Sequence, residues 1–421
     1  MLSTVVSYLG LGKTQGVDLP PVPVHDVETS TDKRDRRLKH LLKLNHATFA
    51  ILYNELRFHN HIPHILGSAY ILGGSPDHLT AVYEDTANGD QLEPWTDSPG
   101  EIALHDYREF LGKRDHQRAW VDFFEDQLVG QGYSWPDVVK TFIFEAGPEH
   151  TANHWPIFTS LTAGLGHPLI HLGYAFELNS REVAMEALGL AATNYDPKLA
   201  SLLLSTPSIP SPPSTADLFT VFSRVASDSR LNHLFTGPGS DNLSDLLASE
   251  ELSSIILSHL FSWSLPNPTV QFFQSQRLAA LLLTSTSPSL GGHGYDFFLV
   301  HIVTTSHAVR ILLPFLPQQH HITLVREWAL IALLVYVAQG TPKLDASWHT
   351  DYDLGGRDWT YVNEKALKSE HATNSHFVKA CRALQVSAST WGDEDQWFLK
   401  SAVRFASEFT HWGGFGVEEE S

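Results

Sequence analysis

From Arg36 to Glu55, the apolar residues Leu38, Leu41, Leu42, Leu44, Phe49, Ile51 and Leu52 return at nearly every third or fourth position. That is the period of an amphipathic helix with one buried face. The same period recurs over Ile62–Leu72, Trp120–Leu128, Leu169–Leu178, Leu243–Leu260, Phe297–Leu313, Ile322–Val337 and Phe377–Leu384. The strict alternation of a half-buried strand is scarce throughout. The pattern predicts an all-α protein, a single large multi-helix domain with long loops.

The breaks in the pattern set the organisation. Residues 1–30 carry Pro20, Pro21 and Pro23 and no sustained period, which predicts an extended lead-in. Residues 31–421 then form the helical catalytic domain. Ser205–Ser214 reads STPSIPSPPS, where repeated prolines forbid a continuing helix, so a surface loop is expected near 204–216. Histidine-rich segments lie on both sides of this loop, and one catalytic unit is therefore expected.

Charge removes some function classes. With 47 Asp and Glu against 28 Lys and Arg the formal charge is −19, which repels phosphate backbones and anionic lipid, so neither nucleic acid nor a membrane is an expected partner. Cys381 is the only cysteine, so no intrachain disulfide can form, and an intracellular, cytoplasmic protein is expected. Met1–Gly12 lacks the basic start and apolar run of a signal peptide. Ala329–Ala338 falls far short of the roughly 20 apolar residues of a membrane helix and predicts a buried core helix.

Motifs remove others. No G-x-G-x-x-G follows a strand-like run, and the spacings in Gly10–Gly16 and Gly291–Gly294 do not fit a pyrophosphate-binding turn. No Rossmann fold and no FAD are expected. The chain also lacks a P-loop, an H-E-x-x-H helix, a C-x-x-C pair and a G-x-S-x-G elbow.

What the chain has in excess is histidine, 24 in all, the commonest protein metal ligand and the proton carrier of neutral pH. In Phe58-His59-Asn60-His61-Ile62-Pro63-His64, His61 and His64 stand one helical turn apart at a helix start. In Gly166-His167-Pro168-Leu169-Ile170-His171, Pro168 suits a first helical turn, and His167 and His171 share a face. Two ligands from one helix is a common metal-site device; two core histidines satisfied by hydrogen bonds is the plain alternative. His301 is a lone imidazole in the apolar run Phe297–Thr304, more often a hydrogen-bonded core residue than a ligand. His376 and Lys379 again stand three apart. A protonated lysine cannot bind a metal, but a buried one with a lowered pKa can take up carbon dioxide and present a carbamate oxygen. Among the 23 Phe, 12 Tyr and 11 Trp, Trp155, Tyr174 and Phe298 lie nearest these clusters and are the candidates to line a pocket for a flat polycyclic substrate.

Taken together, Asn60-His61-Ile62-Pro63-His64 with Leu72-Gly73, the His167–Tyr174 block, the Phe298–Thr304 block and the His376–Leu384 block resemble the questin oxidase-like family of fungal secondary metabolism. The resemblance implies oxidation of an anthraquinone such as questin, with cleavage of its central ring beside a carbonyl to a benzophenone of the demethylsulochrin type. Formally this is a Baeyer-Villiger oxidation. Members are described as nicotinamide-dependent monooxygenases, yet this chain has no dinucleotide fingerprint, and a metal would resolve the conflict. Imidazole and carboxylate donors suit Fe(2+) with open positions for dioxygen and substrate. The expected ligands are His61, His167, His171 and His301 with a carbamylated Lys379, His376 being able to replace one of the histidines and His64 serving as base. The expected partners are a small aromatic polyketide and O2. Three alternatives stand beside this reading. One is a metal-free or NADPH-dependent Baeyer-Villiger enzyme with histidine acid-base catalysis. Another is a non-catalytic helical polyketide-binding protein, and the last a zinc hydrolase using Glu145 or Glu177.

Overall fold

A computed structural model describes residues 16–145, 156–232, 234–291 and 294–415. It is all-α: helices account for 63% of the described residues, among which the strands form only two-stranded ladders. The helices of ten or more residues are α1 (Lys33–Thr48), α2 (Ile62–Ile71), α3 (Pro76–Gly89), α4 (Gln117–Gly130), α5 (Ala163–Leu178), α6 (Arg181–Thr193), α7 (Leu218–Ser227), α8 (Glu250–Phe261), α9 (Pro268–Thr284), α10 (Phe297–Leu312), α11 (His321–Ala338), α12 (Trp359–Lys368), α13 (Ser375–Trp391) and α14 (Trp397–Glu408).

The chain divides into two compact units. One comprises Val22–Ala200 with Lys365–Lys379; the other comprises Ser201–Glu364 and Ala380–Ser421, with the residues up to Pro21. In the first, α1 packs on α2, α3 and α6, α2 on α5, and α6 against both α4 and α5. The α6 helix is buried on nearly every side, including the acidic Glu186. In the second unit, α9, α10 and α11 pack together and are apolar around most of their circumference, the signature of core helices. Phe297–Phe315 and Gln318–Ala338 are long and apolar enough to cross a membrane, but they are 89% and 100% buried.

Most of the predicted helices are present with boundaries shifted by a few residues, and two departures have identifiable causes. The Arg36–Glu55 helix stops at Thr48, and residues 52–59 form a short antiparallel ladder, β1 (Leu52–Tyr53) with β2 (Phe58–His59). Gln117 on α4 captures the backbone here: Leu52 N donates to its Oε1 at 2.8 Å, and its Nε2 donates to Leu52 O at 3.2 Å. The Leu243–Leu260 helix is broken at Ser249, whose hydroxyl caps α8 by accepting from Leu252 N. The proline-rich stretch forms an irregular segment between Leu203 and Leu218. Trp155 lies outside the described residues.

Candidate functional site

The site lies within the first unit and grows from a polar seam between α2 and α5. His61 caps the start of α2, with His64 in its first turn and Ser68 one turn further on. Facing them from α5 are His167, His171 and Tyr174. The pairs ascend together. His61 Nε2 lies 2.9 Å from His167 Nε2, His64 Nε2 lies 2.6 Å from His171 Nδ1, and Ser68 Oγ lies 2.6 Å from Tyr174 OH. Matched ascending numbers mean that the two helices run in the same direction with a one-turn repeat.

The local chain explains how His167 is presented. Gly164, Leu165 and Gly166 all take left-handed backbone angles, with φ of 53°, 57° and 74°. The right-handed helix therefore starts at His167, which puts Pro168 in its first turn, where a proline costs nothing. The bend directs the Gly164 carbonyl back to His167, whose Nδ1 donates to it at 2.6 Å. A neutral ring protonated at Nδ1 has its lone pair on Nε2, the atom that faces His61. His59 stacks on the other side of His167, with ring centroids 3.9 Å apart and planes within 10°. Burial drives His59 down to about 3, so that it stays neutral.

The first turn of α13 supplies His376 and Lys379. The His376 ring lies 4.6 Å from that of His61, and one ligand atom from each of His61, His167 and His376 falls within 4.8 Å of the others. All three are buried. Two imidazole nitrogens about 3 Å apart match neighbouring ligands of one divalent ion, which holds each at about 2.1 Å. The backbone carbonyl behind His167 is the kind of partner that orients a metal-binding imidazole. The donor set therefore fits a first-row divalent metal.

A second group lies along the seam. Lys379 Nζ is 3.5 Å from His64 Nδ1, and Tyr174 stacks on His64 at 5.3 Å. Burial, reinforced by His171, Lys379, His61 and His376, holds His64 well below the ordinary imidazole range. Burial also lowers Lys379 to about 7, with Asp90 opposing. His171 has both ring nitrogens engaged, Nδ1 with His64 and Nε2 with Glu186 Oε2 at 3.3 Å.

Glu186 is the residue that sequence reasoning missed. It is a fully buried carboxylate between two imidazoles, with its Oε1 2.9 Å from His46 Nδ1. Burial would raise its pKa, but hydrogen bonds from His171 and His46 outweigh that and hold it low. His46 in turn lies 2.8 Å from Glu125; burial opposes its charge, but the two carboxylates raise it to about 10. An acid at the centre of the apolar run Val183–Leu190 was the available signal. Of the two acids singled out from sequence, Glu145 pairs with Lys140 at 2.9 Å with both side chains exposed, and Glu177 is a buried residue of α5.

Two of the sequence candidates belong to the other unit. His301, on α10, is completely buried, and its Nδ1 donates to Phe297 O at 2.7 Å, leaving Nε2 as the lone-pair nitrogen of a neutral ring. Phe298, on the same helix, packs against Phe297 and Phe415.

The family model for questin oxidase-like proteins matches residues 58–384, a span that contains His59, His61, His64, His167, His171, Glu186, His301, His376 and Lys379. The chain belongs to the questin oxidase-like family. The Baeyer-Villiger monooxygenase AacuH of Aspergillus aculeatus is 26% identical over 404 residues, covering 89% of this chain and 81% of its own. The questin oxidase of Aspergillus terreus is 24% identical over 359 residues, covering 82% and 79%. The Baeyer-Villiger oxidase ptaJ of Pestalotiopsis fici is 31% identical over a shorter stretch of 157 residues, 37% of this chain and 34% of its own. Membership of this family makes the chain an oxidoreductase.

Proposed function

We propose that this protein is an oxygenase of fungal secondary metabolism that uses O2 to cleave the central ring of a questin-type anthraquinone, giving a demethylsulochrin-type benzophenone, at a non-heme Fe(2+) site. The relatives' names support the reaction class. The observation that carries the metal reading is the convergence of His61, His167 and His376, with the proton of His167 placed on the nitrogen that faces away from His61. His171 and Lys379, in the same unit, complete the candidate ligands. With its pKa near 7, Lys379 has a free amine available for carbamylation at neutral pH.

Iron bound there would supply the one-electron chemistry that closed-shell organic substrates need in order to react with dioxygen. The chain's own residues do the rest. His61, His64, His167, His171, His376 and Lys379 are all buried, so the site excludes bulk water. His64, held toward neutrality by burial and in contact with Lys379, is the base that takes a phenolic proton and enriches the ring in electrons.

A second reading rests on that same pair: a metal-free Baeyer-Villiger enzyme with NADPH as reductant, in which uncarbamylated Lys379 is the stronger base. Metal analysis by mass spectrometry separates the two, with His167→Ala, His171→Ala, His376→Ala and Lys379→Ala measured alongside. Near-stoichiometric iron that is lost in the variants supports the first reading, and active protein without metal overturns it. Turnover of questin under 18O2 counts the oxygen atoms incorporated.

A further inference from the structure

Behind the histidine pairs lies a row of carboxylates and imidazoles ending on an amine, in which the proposed reaction gives no role to Glu125, His46 or Glu186. It runs Glu125, His46, Glu186, His171, His64, Lys379, with successive separations of 2.8, 2.9, 3.3, 2.6 and 3.5 Å. We propose that Glu186 is a positioning residue: held by His46, its carboxylate dictates which nitrogen carries the proton in His171 and, through His171, in His64.

The argument uses only donors and acceptors. An ionised carboxylate can accept hydrogen bonds but not donate them, so both nitrogens that face Glu186, His46 Nδ1 and His171 Nε2, must carry hydrogen. Asn45 Nδ2 donates to the same carboxylate at 3.4 Å, so Glu186 is gripped by three donors from two sides. A His171 ring with one proton on Nε2 has its lone pair on Nδ1. His64 Nε2, 2.6 Å away, is then the donor of that pair. This leaves the His64 lone pair on Nδ1, facing Lys379 Nζ, which donates to it. Every link from Lys379 to Glu186 points toward the carboxylate, and the amine at the far end supplies the one group that need not accept.

His46 matters because it fixes the carboxylate. Its second nitrogen is anchored by Glu125, whose side chain is 42% exposed, so the row is tied to the surface at that end. Partners of this kind, one shell behind the reacting groups, commonly set ring orientation and tautomer.

The test reads the tautomer directly and needs no turnover, so it succeeds or fails independently of the oxygenase assignment. Full-length protein labelled with 15N in its histidine rings and stripped with EDTA is examined by long-range 1H–15N correlation. The technique separates protonated from unprotonated ring nitrogens. His171 is assigned by its loss in His171→Asn and His64 by its loss in His64→Gln. The expected wild-type result is a proton on Nε2 of both rings. Glu186→Gln, which offers an amide donor as well as an acceptor, is expected to redistribute the His171 proton toward Nδ1 while circular dichroism and cooperative melting show a folded helical protein. His46→Gln, which loosens the carboxylate without removing it, is expected to give partial redistribution. A wild-type His171 protonated at Nδ1 overturns the proposal, as does a spectrum unchanged in both Glu186→Gln and His46→Gln. The wild-type spectrum decides the direction even if Glu186→Gln fails to fold.

Discussion

His167 Nδ1 donates to the carbonyl of Gly164, three residues before it, across a run of three left-handed residues. Only the outer two are glycine; Leu165 adopts φ 57° with a side chain. Left-handed non-glycine backbone costs on the order of 1 kcal/mol or more, and such strain collects where a site must be held in one shape. A Cβ added at Gly164 would lie 2.7 Å from Asn194 Oδ1 and 3.1 Å from His59 Nε2, in a conformation that already disfavours it. Gly164→Ala is therefore expected to lose about 1–3 kcal/mol in urea unfolding. It is also expected to weaken metal binding by about 10–100-fold in a competition titration, because the carbonyl that orients His167 moves.

Gly67 plays a comparable part on the other helix. A Cβ there would sit 2.6 Å from the Tyr174 ring, which is held from both sides by Ser68 and His64. Gly67→Ala is expected to push α2 and α5 apart and cost about 1–3 kcal/mol, as overpacking of a filled core does. Gly67→Ala combined with Tyr174→Phe should recover little, since the clash is with the ring and not with the hydroxyl; a double-mutant unfolding cycle measures this.

The charge on His46 gives the fold a pH dependence. Its pKa rises from 6.5 to about 10 on folding, so the folded state binds more protons than the unfolded state between those values. That contribution is complete below about 6.5 and is lost as pH rises toward 10. Glu186 and Glu125, both lowered from 4.5, contribute stability that is lost on the acid side instead. In His46→Gln the alkaline fall in stability should be shallower than in wild type, as measured by urea unfolding from pH 6 to 10.

Lys379 has the opposite sign. Its folded pKa near 7, against 10.5 when free, means that the unfolded chain binds more protons across that window, so stability rises with pH there. Lys379→Met, similar in length and without the amine, should stabilise metal-free protein by about 1–3 kcal/mol near pH 6.5, the gain shrinking as pH approaches 10. Oxygenase activity should be lost in the same variant. A variant that is both less stable and inactive would mark Lys379 as a structural residue.

The helical class and the histidine clusters were legible because both are periodic signals: His61 with His64 and His167 with His171 declare a shared face through spacing alone. Glu186 and His46 were not legible, since each is an isolated polar residue within an amphipathic or apolar helix and gains its meaning from a partner more than 70 residues away. The end of α1 was hidden for the same reason, because the Gln117 side chain that captures Leu52 leaves no mark on the local hydrophobic period. His301 and Phe298 stood out as a polar ring and an aromatic on an apolar helix, but the sequence does not say which compact unit that helix joins.

The seam between α2 and α5 has one more consequence. Its three polar pairs sit in an otherwise greasy contact, and apolar surfaces tolerate sliding because one leucine is much like another. The rungs at 61–167, 64–171 and 68–174 do not. A slip of one helical turn, about 5.4 Å, would set His64 against His167 and Ser68 against His171, and strand His61 and Tyr174 without their mates. The same atoms that could do chemistry therefore act as a molecular vernier that picks one alignment out of several nearly equal ones. Evolutionary change along this seam would have to move rungs in pairs.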